Sequence, residues 1–335
     1  MVGVFYMQQQ QLIDKFGRPH DYLRISLIER CNLRCHYCMP EEGIELRDKQ
    51  EFMSQEELFA IVDEFVALGI NKIRLTGGEP LIKKNFAEIL AYIANLNIKL
   101  AITTNGILLD KYWDELKAAK VETLNISLDT LDKEKFSKIT RRNYFDRVWN
   151  NIWTAVDKGF KVKINAVLIK NENDNEIIDL IELTKDRPVS VTFVEFLPFD
   201  GNKWDWSKTV SYEAILSQVN FQYNEKIEQL ATEKNGTSRK FKVKGYKGDF
   251  GIISSVTNPF CDSCNRLRLT ADGKIKNCLF SGEEVDLLKA HRNNQDIRSL
   301  IFQSVNSKHK ERAGLLEFDD QEFKSENRSM ISIGG

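Results

Sequence analysis

Residues 22–38 read Tyr22-Leu-Arg-Ile-Ser-Leu-Ile-Glu-Arg-Cys31-Asn-Leu-Arg-Cys35-His-Tyr-Cys38, a strand pattern that runs straight into a cysteine cluster. Residues 22–29 are mostly apolar and rich in branched side chains, as in a strand buried on both faces. Three thiols follow, so they belong to the loop at the strand's carboxyl end. Residues 72–76, 100–104, 124–129, 162–169 and 189–197 repeat the strand pattern. Amphipathic helices separate them. Ser54-x-x-Glu57 is a capping box, in which the hydroxyl satisfies a free backbone N–H and Glu57 reaches back. Leu58, Phe59, Ile61, Val62, Phe65 and Val66 then recur at helical spacing. Asn85-x-x-Glu88 repeats the device before Ile89, Leu90 and Ile93. Trp113 with Leu116, Val148 with Ile152 and Ala155, and Ile177 with Ile178 and Ile181 mark further helices. Parallel strands need such crossovers. The chain is therefore α/β, either a doubly wound sheet or an incomplete (β/α)6 barrel. Both architectures place functional residues at the carboxyl ends of strands.

The 335 residues are 42% hydrophobic, enough for one large domain or two ordinary ones. With 48 basic and 49 acidic side chains, nothing calls for a nucleic-acid or anionic-membrane partner. No apolar run approaches the ~20 residues that span a bilayer. The first eleven residues lack the basic start and apolar stretch of a secretory signal. The expected setting is the cytoplasm, where six cysteines are metal ligands or catalytic thiols rather than disulfides.

The pattern changes after Pro198. The reading divides the chain into an N-terminal extension (1–21), a barrel-forming unit (22–230) and a C-terminal region (231–335). Residues 212–219 read as a helix, and Lys234-Asn235-Gly236 as a turn between short strands. Residues 241–243 and 251–256 are strands, and Asp272-Gly273 is a hairpin turn between 266–270 and 274–278. Residues 286–292 and 297–304 read as helices. The tail from 314 to 335 is polar and has no clear period.

Cys31-x-x-x-Cys35-x-x-Cys38 can anchor three irons of a 4Fe–4S cube. The fourth iron is then left open, as a chemically active cluster needs. His36 supports a second reading, since three sulfurs and one nitrogen form a common structural zinc set. Cys261-x-x-Cys264 with Cys278 makes another set of three. No cysteine is left to complete it, and His291 and His309 stand at unusual spacings. A second open-cornered cube that holds a substrate fits, with a zinc staple as the alternative. In a strand, Arg266 and Arg268 of Asn265-Arg266-Leu267-Arg268 point to one side. Two guanidinium groups there make a phosphate clamp, whereas a solvated strand edge is the plainer reading.

The first cysteine motif resembles the signature of the radical S-adenosylmethionine superfamily. Thr76-Gly77-Gly78-Glu79-Pro80 and Asn125-Ile126-Ser127-Leu128-Asp129, at two further strand ends, match the same superfamily. That resemblance implies an incomplete six-strand (β/α) barrel with a C-terminal cluster-binding region. The stretch from Phe260 to Leu269, Cys278-Leu279-Phe280 and the terminal Ile333-Gly334-Gly335 resemble the GTP 3′,8-cyclase family of molybdenum cofactor biosynthesis. This likeness covers residues from about 12 to 335.

Such a family member uses two 4Fe–4S clusters and S-adenosylmethionine. A 5′-deoxyadenosyl radical takes the ribose 3′ hydrogen of GTP, and C3′ then closes on guanine C8. The product is (8S)-3′,8-cyclo-7,8-dihydroguanosine 5′-triphosphate. The resemblance implies Cys31, Cys35 and Cys38 at the catalytic cluster and Cys261, Cys264 and Cys278 at the second. Tyr37, Gly78, Ser127 and Leu197 match the S-adenosylmethionine positions. Arg24, Arg74, Thr103, Lys163, Arg266, Leu267 and Arg268 match the GTP positions. An external one-electron donor, a downstream cyclic pyranopterin monophosphate synthase and a homodimer complete the expected partners.

Two residues depart from the family pattern. Leu197 replaces methionine, and Thr192 replaces an arginine, for which Lys72 is a substitute. Two rivals are a radical enzyme that modifies peptides and a zinc-stapled binding protein without catalysis.

Overall fold

The computed structural model describes residues 11–40, 43–44, 47–231, 235–315 and 327–334. Six parallel strands form its centre: β1 (Tyr22–Ser26), β2 (Lys72–Thr76), β3 (Lys99–Thr104), β4 (Thr123–Ser127), β5 (Lys161–Leu168) and β6 (Ser190–Glu195). The crossovers carry α1 (Gln55–Ala67), α2 (Phe86–Asn95), α3 (Trp113–Ala118), α4 (Lys133–Thr140), α5 (Phe145–Asp157) and α6 (Ile177–Glu182). Ser54 caps α1 as expected, with Glu57 N donating to its Oγ at 3.2 Å and its own N–H donating to Glu57 at 2.7 Å. Asn85 does not cap α2; its side-chain amide donates instead to Gln55 at 2.5 Å.

The C-terminal part adds α7 (Tyr212–Tyr223), and then strands on both edges of the same sheet. These are β7 (Ile227–Gln229), β8 (Arg239–Val243), β9 (Asp249–Ile253), β10 (Arg266–Leu269), β11 (Lys274–Lys276) and β12 (Val285–Asp286). β9 joins β6, and β10 joins β1, both in parallel. The result is an open twelve-stranded sheet in the order β12-β11-β10-β1-β2-β3-β4-β5-β6-β9-β8-β7. Gly273, at φ +71°, makes the turn from β10 to β11, where a Cβ would meet Leu288 Cβ at 2.4 Å. Two helices, α8 (Leu287–Arg292) and α9 (Ile297–Asn306), and the short α10 (Met330–Ile333) end the fold. Among the described residues, no helix is long and apolar enough to cross a membrane.

The strands are not apolar on both faces, as their composition led us to expect. Leu23, Ile25, Ile73, Leu75, Leu124, Ile126, Val191 and Phe193 join the core with Leu58, Ile61 and Phe65 of α1. The alternate residues Arg24, Arg74, Thr103, Asn125, Lys163 and Thr192 line a cavity on the opposite face. A period of two lets one strand serve both environments.

Candidate active site

Cys31, Cys35 and Cys38 lie in the loop after β1, half-buried. Burial raises all three thiols, to about 11 for Cys31 and about 12 for Cys38, with Cys35 also held well above its ordinary value. Neighbouring carboxylates and the sister thiols add to the rise. Cys31 Sγ receives the N–H of Leu33 at 3.4 Å and the amide of Asn105 at 3.6 Å. Such donors suit a thiolate that carries a cluster. His36 is engaged elsewhere, with Nε2 2.7 Å from Glu172 Oε1. Three sulfurs without the histidine fit an open-cornered cube.

The Gly-Gly turn after β2 braces this loop. Gly78 N and Glu79 N donate to Ile28 O (2.7 Å) and Arg30 O (2.8 Å). Glu79 is fully buried and accepts from Thr104 Oγ1 (2.7 Å), Asn105 N (2.7 Å) and Leu81 N (3.0 Å). Burial lifts its carboxyl to about 7 despite those bonds. It therefore ties strand ends together. Tyr37 donates to Asp129 at 2.7 Å, and Ser127 ends β4.

A cavity of about 570 Å³ opens on the inner face of the sheet. Its lining includes Arg24, Arg74, Thr103, Lys163, Arg266 and Arg268, six of the seven residues matched to GTP. Leu267 is the exception. It alternates to the opposite face and is fully buried in the core, so its side chain does not reach the cavity. Register explains the grouping, because Arg24 pairs with Arg74 on one side and Arg268 on the other, and Asn125 pairs with Thr103 and Lys163. Burial and Arg268 hold Arg24 well below its ordinary value, and burial and Arg266 bring Arg268 to about 10. These cations crowd one another. Leu197, Thr192 and Lys72 also line the cavity. Lys240, Asn165, Ser238 and Met330 were not anticipated; only the strand alternation that placed Lys163 could have pointed to Asn165.

All three thiols of the second set line the same cavity. Burial alone would raise Cys264, but Arg266 and Lys308 bring it down to about 6. Arg266 Nη2 lies 3.4 Å from its sulfur. The residues therefore fit a thiolate-held group here as well.

The described tail, 327–334, runs between the two sets. Ser329 Oγ donates to Cys38 O at 3.1 Å, while Met330 and Ile333 pack in the cluster that contains Cys278. Consecutive residues thus touch both thiol loops. Arg268 Nη1 donates to Gly334 O at 2.5 Å, and Gly334 packs against Thr76 and Ser26. Gly335 lies outside the described residues.

An ion-pair network holds this tail. Arg328 grips Asp272 with two bonds of 3.0 and 2.9 Å and also reaches Glu284. Lys276, fully buried, donates to Asn327 at 3.0 Å. Burial would raise Asp272, but Arg328 wins and holds it at about 2 rather than the ordinary 3.8. Because the folded carboxyl is depressed, its contribution is full above the ordinary value and fades as pH falls from there toward about 2. At neutral pH, Asp272→Asn should cost about 2 kcal/mol. Amide exchange of 327–334 should accelerate, which mass spectrometry can read; unchanged exchange would show that the network does not anchor the tail.

Residues 25–184 match the Radical SAM superfamily, and 189–313 match Molybdenum Cofactor Synthesis C. Over 97% of the chain, 46% of residues are identical to the mitochondrial GTP 3′,8-cyclase of Arabidopsis thaliana, 83% of which is covered. The chain belongs to the GTP 3′,8-cyclase family. A GTP 3′,8-cyclase of Listeria welshimeri is 39% identical, with 97% of this chain and 100% of that protein covered. Human molybdenum cofactor biosynthesis protein 1 is 43% identical over 96% of the chain, which spans only 51% of that longer protein. Among solved structures, Streptococcus suis SuiB bound to S-adenosylmethionine superposes with a TM-score of 0.60 at 18% identity. That match covers 95% of this chain and 71% of SuiB, and it supports the radical-enzyme fold with an open sheet.

Proposed function

We propose that this cyclase converts GTP into (8S)-3′,8-cyclo-7,8-dihydroguanosine 5′-triphosphate, with Cys31, Cys35 and Cys38 holding a catalytic 4Fe–4S cluster. Cys261, Cys264 and Cys278 hold the second, whose open corner takes the guanine. One observation carries the reading: a single cavity joins the second thiol set to Arg24, Arg74, Lys163, Arg266 and Arg268. A triphosphate is costly to remove from water, and charge-assisted bonds from several cations offset that cost. A peptide has no comparable charge to balance. Lys72 and Lys240, also in the lining, make up for Thr192.

When bound, the first cluster and S-adenosylmethionine supply one electron and a 5′-deoxyadenosyl radical. The protein does the rest by placement. Arg266 and Arg268 hold the phosphates at one end, and Thr103 and Asn125 meet the ribose in mid-sheet. Tyr37, Gly78, Ser127 and Leu197 seat S-adenosylmethionine at the strand ends. Leu267 contributes only main chain. An external one-electron donor feeds the reaction, and a cyclic pyranopterin monophosphate synthase takes the product. The six free thiols suit a reducing compartment, and we place the protein in the cytoplasm.

Reduced, anaerobic protein given S-adenosylmethionine and GTP should release 5′-deoxyadenosine together with the cyclised nucleotide. Deoxyadenosine without that nucleotide would favour a peptide substrate. Colourless, zinc-loaded protein that releases neither would favour the zinc staple.

A further inference from the structure

Lys308 lies just beyond α9 and is only 3% exposed. Its ammonium donates to Asn277 O at 2.6 Å and Arg266 O at 3.1 Å, and stands 3.4 Å from Cys264 Sγ. An ammonium has three donors, so these partners use all of them. Arg266 is two residues after Cys264, and Asn277 immediately precedes Cys278. One side chain therefore ties together the segments that carry two of the three thiols. Arg18 ties in the third: it donates to the carbonyls of Cys261 (2.8 Å), Lys310 (2.7 Å) and His309 (2.9 Å). Asp14 fixes Arg18 from behind at 2.7 Å. Asn277 closes the frame through its amide, which donates to Ser304 O (2.7 Å) and Ser307 Oγ (3.0 Å).

A buried ammonium is costly unless a negative charge faces it. Among the described residues, no carboxylate pairs with Lys308. Of its three partners, only the Cys264 sulfur can carry a full negative charge. Lys308 is also absent from the cavity lining, so it approaches Cys264 from behind rather than from the substrate side. Arg266, by contrast, is in that lining and faces the substrate.

We propose that Lys308 is a positioning residue that balances the charge of the second iron–sulfur cluster and makes that cluster easier to reduce. The inference rests on the second-cluster reading given under Proposed function. A cube held by thiolates carries net negative charge, which grows by one on reduction. A fixed cation and an N–H···S bond at one corner stabilise the reduced form more than the oxidised one.

The test uses full-length protein in which Cys31, Cys35 and Cys38 are all replaced by alanine, so that only the second cluster reports. This parent should bind about four irons per chain. Lys308→Met, which keeps the length and loses the charge, should move the cluster's reduction potential in the negative direction in a redox titration followed by electron paramagnetic resonance. Lys308→Arg, which keeps the charge, should stay near the parent. An unchanged potential in iron-loaded Lys308→Met would overturn the proposal. A parent without iron would overturn the second-cluster reading, and this inference with it. Loss of iron from Lys308→Met with the parent's circular dichroism and melting temperature supports a need for the charge in assembly. Should Lys308→Met lose its fold, Lys308→Gln is titrated under the same two outcomes.

Discussion

Arg24→Met should raise the melting temperature of the ligand-free protein while nearly abolishing GTP binding. Arg24 sits in register between Arg74 and Arg268, and burial with those like charges already pushes its guanidinium well below its ordinary value. Methionine fills similar space without the charge. Replacing buried charge by a packed apolar side chain gains about 1–2 kcal/mol in favourable cases, roughly 1–3 °C in a chain of this size. Calorimetry on the ligand-free protein reads that gain. The triphosphate loses a desolvated cationic contact worth about 2–5 kcal/mol, so affinity should fall by at least about 30-fold. Titration calorimetry with GTP reads that loss. A variant that melts earlier and binds GTP as before would show that the arginine belt is structural and that the phosphates bind elsewhere.

Gly78→Val should leave the outer fold intact and remove S-adenosylmethionine cleavage. A Cβ on Gly78 would lie 2.3 Å from Arg30 O, 2.6 Å from Arg30 C and 2.9 Å from Ile331 Cγ1. Two of those atoms are backbone, directly before Cys31, so the clash cannot be relieved by turning a side chain. Overpacking of this kind costs about 1–3 kcal/mol. The larger effect is on chemistry, because displacing the cluster loop by about 1 Å can cost on the order of 100-fold in rate. The expected result is lower iron content at the first site and at least about 100-fold less deoxyadenosine. Normal iron and normal cleavage would mean that the loop tolerates the displacement and that Gly78 does not set its position.

Much of this arrangement was legible in the chain. β2 has the limits expected of it, because its apolar run is bounded by Asn71 and by the Gly-Gly turn. β1 ends at Ser26, three residues short of the expected end. Its last residues leave the ladder to brace the turn after β2: Ile28 O accepts from Gly78 N, and Arg30 O from Glu79 N. α4 was not anticipated, because Lys133, Glu134, Lys135 and Lys138 leave it few apolar positions; Asp132 caps it through Lys135 N at 2.7 Å. The two cysteine sets stood out by local spacing, whereas spacing alone favoured a solvated strand edge for Arg266 and Arg268, and only the family resemblance pointed them at a phosphate. The buried tail was not, since Ile331 and Ile333 show no period and are buried by elements far away in sequence. A solitary Lys308 likewise gives no sequence signal, because its meaning comes from three partners on other segments.

The strand order also dictates a timetable for folding. β1 leaves the ribosome early, yet one of its two edges is filled by β10, and Asp21 and Asn265 at the start of that pairing are 244 positions apart. β6 similarly waits for β9. Until the last third of the chain is synthesised, the nascent sheet therefore has two open borders, each able to recruit a stray strand. Contacts this distant slow the search for the native state and lengthen the exposure to aggregation. Chains stopped short of β9 should accumulate as insoluble material rather than as a working half-enzyme.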